Sequence, residues 1–345
     1  MNILITGGCG FIGSNFVRFL AHVRPAWKIV NYDKLTYAGN LENLADLAPG
    51  ARYSFVRGDV CNRELVEHVL RAHEISAVVH LAAESHVDRS ILDPHVFLST
   101  NVLGTQVLLE AALRAQVSKF VQVSTDEVYG SLGETGAFTE TSPLCPSSPY
   151  SASKAGADLL ALSFYRTYGL PVSVTRCSNN YGRFQFPEKL IPLMIIQALG
   201  DQPLPVYGDG GNVRDWLHVE DHCEALLAVL ERGRAGEIYN VGGEAERRNI
   251  DLVKQILAIL GKPERLIKFV EDRPGHDRRY AIHAGKIGAE LGWSPRRRLE
   301  EGLRETAGFY VDNPGWWRRV MSGEYRSYYE SQVRGRLMGA GGSPT

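Results

Sequence analysis

Short apolar runs alternate with longer segments of helical period through the first half of the chain. Asn2 to Thr6, Lys28 to Tyr32, Tyr53 to Arg57, Ala77 to Leu81, Lys119 to Ser124 and Val172 to Arg176 read as strands. Several lack the polar alternation of a half-exposed sheet and look covered on both faces. Between them the pattern predicts helices over Ser14 to His22, Arg63 to His73, Pro94 to Gln116 and Tyr150 to Tyr168. Strands separated by helices mean a parallel, doubly wound sheet, an α/β fold of Rossmann type. Ligands bind such sheets at the carboxyl ends of the strands, so the residues just after each run are the ones to search for chemistry.

Beyond Arg176 the character changes. Cys177 to Lys189 is polar, aromatic and turn-rich and reads as a loop entering a second region, and Pro203 to Asn212 is a further break. Helix Glu220 to Arg232 and strand Glu237 to Val241 return to the sheet, whereas helices near Asp251 to Leu260, Ala284 to Leu291 and Glu300 to Asp312 form a small cap from separated segments. The expected division is residues 1–178 with about 219–242 as the sheet domain, and about 179–218 with 243–335 as a smaller C-terminal α/β substrate-binding domain. Residues 338–345 have the composition of a disordered tail.

Composition contributes exclusions. A chain of 345 residues with 44% hydrophobic and 22% charged positions is an ordinary globular protein of one large or two medium domains. With 38 basic and 39 acidic residues, neither nucleic acid nor an anionic membrane is an expected partner. Five cysteines without a CxxC pair argue against a disulfide framework and against a metal site, and they point to a reducing compartment, the cytoplasm. Cys9 and Cys177 read as small core residues. The chain opens on a strand and turn that leave no room for a signal peptide, and no apolar run reaches the roughly 20 residues of a membrane span.

The first strand runs into Gly7-Gly8-Cys9-Gly10-Phe11-Ile12-Gly13, where Gly8, Gly10 and Gly13 match the dinucleotide fingerprint with a helix behind them. Such glycines let the backbone turn tightly and approach a pyrophosphate without a Cβ in the way. Asp33 ends the second strand at the spacing of a ribose-binding carboxylate, which selects NAD over NADP, although the neighbouring Lys34 could relax that choice. Asp59 can reach an adenine amino group or cap the helix from Asn62; Ala82 and Ala83 leave room beside a cofactor.

The richest chemistry follows the fifth strand. Ser124-Thr125-Asp126-Glu127 emerges on the ligand rim, and Tyr150 and Lys154 share one helix face four residues apart. A lysine there can stabilise the tyrosinate and make the phenol a base well below its free pKa of about 10. Adjacent carboxylates can divide acid and base duties only if their surroundings separate their pKa values. The plainer readings are a first helical turn for Asp126 and Glu127 and a surface helical pair for Tyr150 and Lys154. Arg214 can clasp a pyrophosphate or form a buried ion pair with Asp215.

Taken together, these motifs resemble the extended short-chain dehydrogenase/reductase superfamily and, within it, the dTDP-glucose 4,6-dehydratases, from the glycine turn to about residue 320. The glycine turn and Tyr150-x-x-x-Lys154 carry the general likeness. The specific likeness lies in Asp33 to Asn40, Ser124 to Gly130, Asn179 to Gly182, Pro187 to Leu190 and Arg214-Asp215-Trp216. The resemblance implies tightly held NAD contacted by Gly7, Gly10, Phe11, Ile12, Gly13, Asp33, Lys34, Thr36, Asp59, Val60, Leu81, Ala82, Ala83, Thr100, Ser124, Tyr150 and Lys154. It implies a nucleotide-sugar contacted by Ser85, Thr125, Asn179, Glu188, Lys189, Leu190, Pro205, Tyr207, Arg214, Asn249, His276 and Tyr280. By the same likeness Tyr150 is the base for C4 oxidation, Thr125 holds the reacting oxygen, Glu127 removes the C5 proton, Asp126 protonates the leaving 6-hydroxyl, and Lys154 orients the nicotinamide ribose and supports the tyrosinate. Arg183 stands where the family usually has proline, adding charge and freedom beside the substrate loop, and His283 replaces a common aspartate.

The alternatives are a nucleotide-sugar 4-epimerase or decarboxylase of the same superfamily and, from another class, a non-catalytic dinucleotide sensor, which would have no use for Tyr150, Lys154 or the carboxylate pair. Helices Pro94 to Gln116 and Tyr150 to Tyr168 carry more apolar residues than one sheet face requires, so a homodimer through their outer faces is expected.

Overall fold

The computed structural model describes residues 1–47, 50 and 52–321; the anticipated tail and the end of the second region near residue 335 lie outside them. Twelve strands are present among the described residues: β1 (Asn2–Thr6), β2 (Lys28–Asp33), β3 (Tyr53–Arg57), β4 (Ala77–His80), β5 (Lys119–Thr125), β6 (Val172–Cys177), β7 (Asn179–Tyr181), β8 (Leu204–Tyr207), β9 (Val213–His218), β10 (Ile238–Val241), β11 (Glu246–Arg248) and β12 (Ile267–Val270). Seven form the main sheet in the order β3-β2-β1-β4-β5-β6-β10, every pair parallel. The order reverses between β1 and β4, which opens the crevice where such folds take ligands.

The apolar runs acquire a reason here. Ile3 and Ile5 face one side of the sheet and join Phe16, Leu20 and Leu226, while Leu4 between them faces the other and joins Leu70, Leu108 and Leu162. Both faces are covered, so polar alternation disappears.

A separate core in the C-terminal region packs helices Leu190–Leu199, Asn249–Leu260 and Leu299–Asp312 around Trp216 and Tyr181. It is backed by a three-stranded sheet β11-β9-β7 and a two-stranded β12-β8 pair. Here the structure departs from the sequence reading. The expected loop at 177–189 contains β7, and the expected break at 203–212 contains β8. Helix Leu190–Leu199 lacks a predictive signal because Ile191 to Ala198 are buried all round, leaving no polar stripe to reveal the period.

The first helix begins at Phe11 rather than Ser14, directly on Gly10. The long helix starts at Pro94 as expected but passes through a π-turn at Leu98–Leu103 and ends at Arg114. By length and composition alone, its 21 residues are apolar enough to cross a membrane, contrary to the sequence reading, and half of that stretch is buried within the fold. It packs between helices Arg63–Ala72 and Pro149–Tyr168.

Candidate active site

One cleft at the carboxyl rim of β1, β4 and β5 gathers all the residues singled out for the cofactor, including Phe11, Ile12, Thr36, Val60, Leu81, Thr100 and Ser124. Gly7 makes the tight turn that the fingerprint needs: its φ is +71°, and a Cβ there would sit 2.7 Å from the Ala82 backbone. Gly13 lets the helix close on the turn, since a Cβ would lie 2.1 Å from the Gly7 carbonyl oxygen. Gly8 plays a different part from the one its place in the motif suggests, facing the Asn31 side chain rather than the cleft. A Cβ on Gly10 would meet only the Gly7 carbonyl oxygen, at 3.4 Å, so the turn presents bare backbone to its surroundings. These features fit a dinucleotide pyrophosphate.

Asp33 anchors the turn from the end of β2. Its carboxylate accepts the backbone N–H of Cys9 at 2.8 Å and that of Leu35 at 2.8 Å. Lys34 is bound to Asp59 at 2.7 Å, so its charge is already matched. Asp59 also accepts the Cys61 N–H at 2.9 Å, and the cap of helix Arg63–Ala72 is supplied instead by Asn62. Asp59 is therefore not the cap that was its alternative.

Thr125 ends β5 and caps a single 3₁₀ turn, Asp126–Tyr129, by accepting the Glu127 N–H at 3.2 Å. That turn delivers Asp126 and Glu127 to the cleft side by side. Opposite them stands helix Pro149–Tyr168, opened by proline and a Ser148/Ser151 capping box and closed by Gly169 in the left-handed region. Its buried face carries Tyr150 and Lys154, so the pair is not a surface pair. The Lys154 ammonium donates to the Val123 carbonyl at 2.7 Å.

Comparison with known proteins accords with this geometry. Residues 4–306 match the family model described as GDP-mannose 4,6 dehydratase. A dTDP-glucose 4,6-dehydratase of Xanthomonas campestris pv. campestris is 54% identical over 341 residues, covering 94% of this chain and 97% of that protein. A crystal structure of the Streptomyces venezuelae dTDP-glucose 4,6-dehydratase with NAD and TYD bound is 51% identical, with a TM-score of 0.90 over 93% of this chain and 100% of the other. The chain belongs to the dTDP-glucose 4,6-dehydratase family. A UDP-glucose 4-epimerase of Thermotoga maritima shares the fold at TM-score 0.85 but only 31% of the sequence, over 91% of this chain and 100% of that one.

Against that family background the electrostatics of the rim are informative. Asp126 is 1% exposed, and burial pushes its carboxyl well above the usual range; Glu127 and Asp215 add to the effect while Arg214 opposes it. Burial raises Glu127 too, but Arg273, Lys189 and Arg214 work against that rise. Both carboxyls are raised, but in unequal surroundings, with anions adding to the rise at Asp126 and cations opposing it at Glu127, and acid–base division needs unequal surroundings of this kind. One oxygen of Asp126 is buried without a hydrogen-bond partner among the described residues, an atom suited to a ligand hydroxyl.

Tyr150 is buried. Burial drives its phenol well above 10, Glu127 adds to this, and a hydrogen bond from Thr125 opposes it only in part. Lys154, itself lowered by burial and bound to Val123, does not offset the desolvation within the protein alone.

Of the residues singled out for substrate, Ser85, Asn179, Glu188 and Lys189 line the same cleft. Pro205, Tyr207, Arg214, Asn249, His276 and Tyr280 lie in the second region. There the Arg214 guanidinium covers the Tyr280 ring at 4.3 Å and His276 meets Tyr207 edge-on at 6.1 Å. Leu190 packs against the second core instead. Arg214 forms no ion pair with Asp215, whose carboxylate accepts the N–H groups of Gly243 and Ala245. The buried amide oxygens of Asn179 and Asn249 have no hydrogen-bond partner among the described residues, which suits ligand contact. Arg183 reverses its expectation: it bonds to Asn15 at 3.2 Å and Glu220 at 3.0 Å, so its charge is matched and the loop is tied down. His283 is exposed, as a surface substitution should be.

Sequence reasoning missed Asn101 and Arg273. The Asn101 amide, inside the π-turn, accepts the Glu84 N–H and donates to the Glu84 carbonyl and to Ser153 at 2.8 Å, joining the β4 rim to the Tyr150 helix. Its signal was an amide within an apolar helical run. Arg273 left none, because a charged residue beside Pro274-Gly275 reads as a surface turn.

Proposed function

We propose that the chain converts dTDP-glucose to its 4-keto-6-deoxy product, with NAD held by the glycine turn and Asp33. A 2′-phosphate is disfavoured by the Asp33 carboxylate and by the pairing of Lys34 with Asp59, both of which support NAD over NADP. Bound NAD⁺ supplies the hydride acceptor, the later hydride donor and a positive charge at the rim. Tyr150 takes the proton of the 4-hydroxyl, and Thr125, hydrogen-bonded to it, holds the reacting oxygen. A ketone at C4 acidifies C5, so Glu127 removes that proton while Asp126 protonates the departing 6-hydroxyl. Glu127 then returns the proton to C5. Lys154 orients the cofactor ribose. Arg214, Asn179, Asn249 and Lys189 take the phosphates and nucleoside, with Tyr207 and His276 at the base.

The observation that carries this reading is the placement of both Asp126 and Glu127 in the cleft that holds Tyr150 and Lys154, a second carboxylate that an epimerase does not require. The test is incubation of purified protein, without added NAD, with dTDP-glucose, followed by mass spectrometry. Loss of one water with deuterium entering at C5 in heavy water is the expected result; unchanged mass would favour epimerisation.

The carboxylate environments also set a pH profile. Glu127 must be ionised, so turnover falls as pH drops through its raised pKa, and Asp126 must be protonated, so turnover falls as pH rises through its own. The acid limb of kcat is therefore expected to have its midpoint above 4.5, the ordinary glutamate value.

The chain is further proposed to be a cytoplasmic homodimer, its five cysteines all free thiols. Leu98, Leu103, Leu159 and Tyr168 are 53%, 48%, 58% and 57% exposed on the two helices singled out for pairing. Joining them across a two-fold axis would cover this apolar surface. Light scattering should return twice the chain mass, and Leu98→Glu with Leu159→Glu should return the monomer mass.

A further inference from the structure

The short helix Val87–Leu92 follows the β4 rim, and its first turn touches both sides of the cleft. On the nucleotide side, the Asp88 carboxylate accepts the Tyr207 hydroxyl at 3.2 Å with one oxygen and the Arg273 guanidinium at 2.9 Å with the other. The Asp88–Arg273 pair is 13% and 20% exposed, so solvent screens it far less than a surface pair. On the cofactor side, the Arg89 guanidinium lies 3.8 Å from the centroid of the Tyr37 ring, in the loop that leaves Asp33. Two further bonds close the circuit: the Tyr37 hydroxyl donates to Glu188 at 3.1 Å, and Lys189 donates to the Ser85 carbonyl at 2.8 Å.

We infer that Asp88 and Arg89 are positioning residues that couple retention of the dinucleotide to occupancy of the nucleoside diphosphate site. Asp88 does not line the main cleft and Arg89 lines only the adjoining pocket beside Lys34 and Asp59, so Asp88 acts through Tyr207 and Arg273 and Arg89 through Tyr37. A nucleoside diphosphate that engages Tyr207 and Arg273 fixes two partners of Asp88 and with them the first turn of the helix. The next residue in that turn holds Tyr37, which in turn keeps the loop from Lys34 to Asn40 against Glu188 and over the dinucleotide. Linkage makes the effect reciprocal: bound dinucleotide tightens the nucleotide site by the same factor. A reaction that oxidises its substrate and later reduces it with the same cofactor needs such a clasp, because loss of the dinucleotide midway strands the intermediate.

The inference rests on the proposed reading of the cleft, and the test separates the two. Protein loaded with NAD is diluted into a dinucleotide trap with or without thymidine diphosphate, and NAD release is timed. For the unaltered chain the diphosphate is expected to slow release about tenfold. In Asp88→Asn and in Arg89→Gln that ratio should fall below about twofold, each variant being checked for native circular dichroism. Tyr37→Phe, which keeps the ring under Arg89 and removes only the bond to Glu188, should give an intermediate ratio and decides the matter if either other variant fails to fold. A ratio near one in the unaltered chain, or an unchanged ratio in the variants, overturns the coupling. A chain that takes up no NAD at all instead overturns the cofactor reading beneath it. A purely structural role would lower thermal stability but leave the ratio intact.

Discussion

Glu127→Gln is expected to oxidise dTDP-glucose and stop there. The variant keeps Tyr150 and Thr125, so the 4-hydroxyl still loses its proton and absorbance of the reduced dinucleotide near 340 nm rises on mixing. It cannot take the C5 proton, so water is not lost and dehydration should fall by about 10² to 10⁴. Glutamine nearly matches the shape of glutamate and places an amide among Arg273, Lys189 and Arg214, where the native side chain carries charge. Removing that anion should also ease ionisation of Tyr150, since Glu127 is the largest charge raising it. The rise in absorbance should therefore persist to lower pH than in the unaltered chain. A correctly folded variant that gives no absorbance change would contradict the assignment of Glu127 to the second step.

Tyr150→Phe should produce the opposite pattern. With no phenol at the rim, the 4-hydroxyl has no base, and both the absorbance change and dehydration should fall by about 10² to 10⁴. The ring packs against Phe97 at 6.3 Å, and phenylalanine preserves that contact, so stability should change little. Stopped-flow absorbance with chemical quench distinguishes the two variants: one accumulates reduced dinucleotide, the other none. Accumulation at the native rate in Tyr150→Phe would move the base role elsewhere, with Lys154 the next group on the same buried face.

Much of this site is local in the chain, and that part can be read directly. The glycine turn, Asp33 after it, the Thr125-Asp126-Glu127 triplet and the Tyr150/Lys154 spacing each depend on a strand end or one helical repeat. Short-range geometry is set by backbone conformation and residue period, so the sequence alone determined the parallel α/β sheet and which residues stand on its ligand rim. Residues without a local signature escaped. Helix Leu190–Leu199 is apolar all round, β7 and β8 hide in turn-rich stretches, and Arg273 stands in what reads as a surface turn.

Tertiary structure alone decided the energetics. Asp126 is raised in part by Asp215, and Glu127 is opposed by Arg273, groups far away in sequence that meet only when the second region folds onto the sheet. Lys34 finds Asp59, Arg183 finds Glu220, and Asp88 finds both Tyr207 and Arg273 in the same way. Tyr150 shows the principle most plainly: its lysine neighbour was legible, but the burial that raises its phenol was not. Desolvation and Coulomb terms depend on distance and on the exclusion of water, which a linear order of residues does not contain.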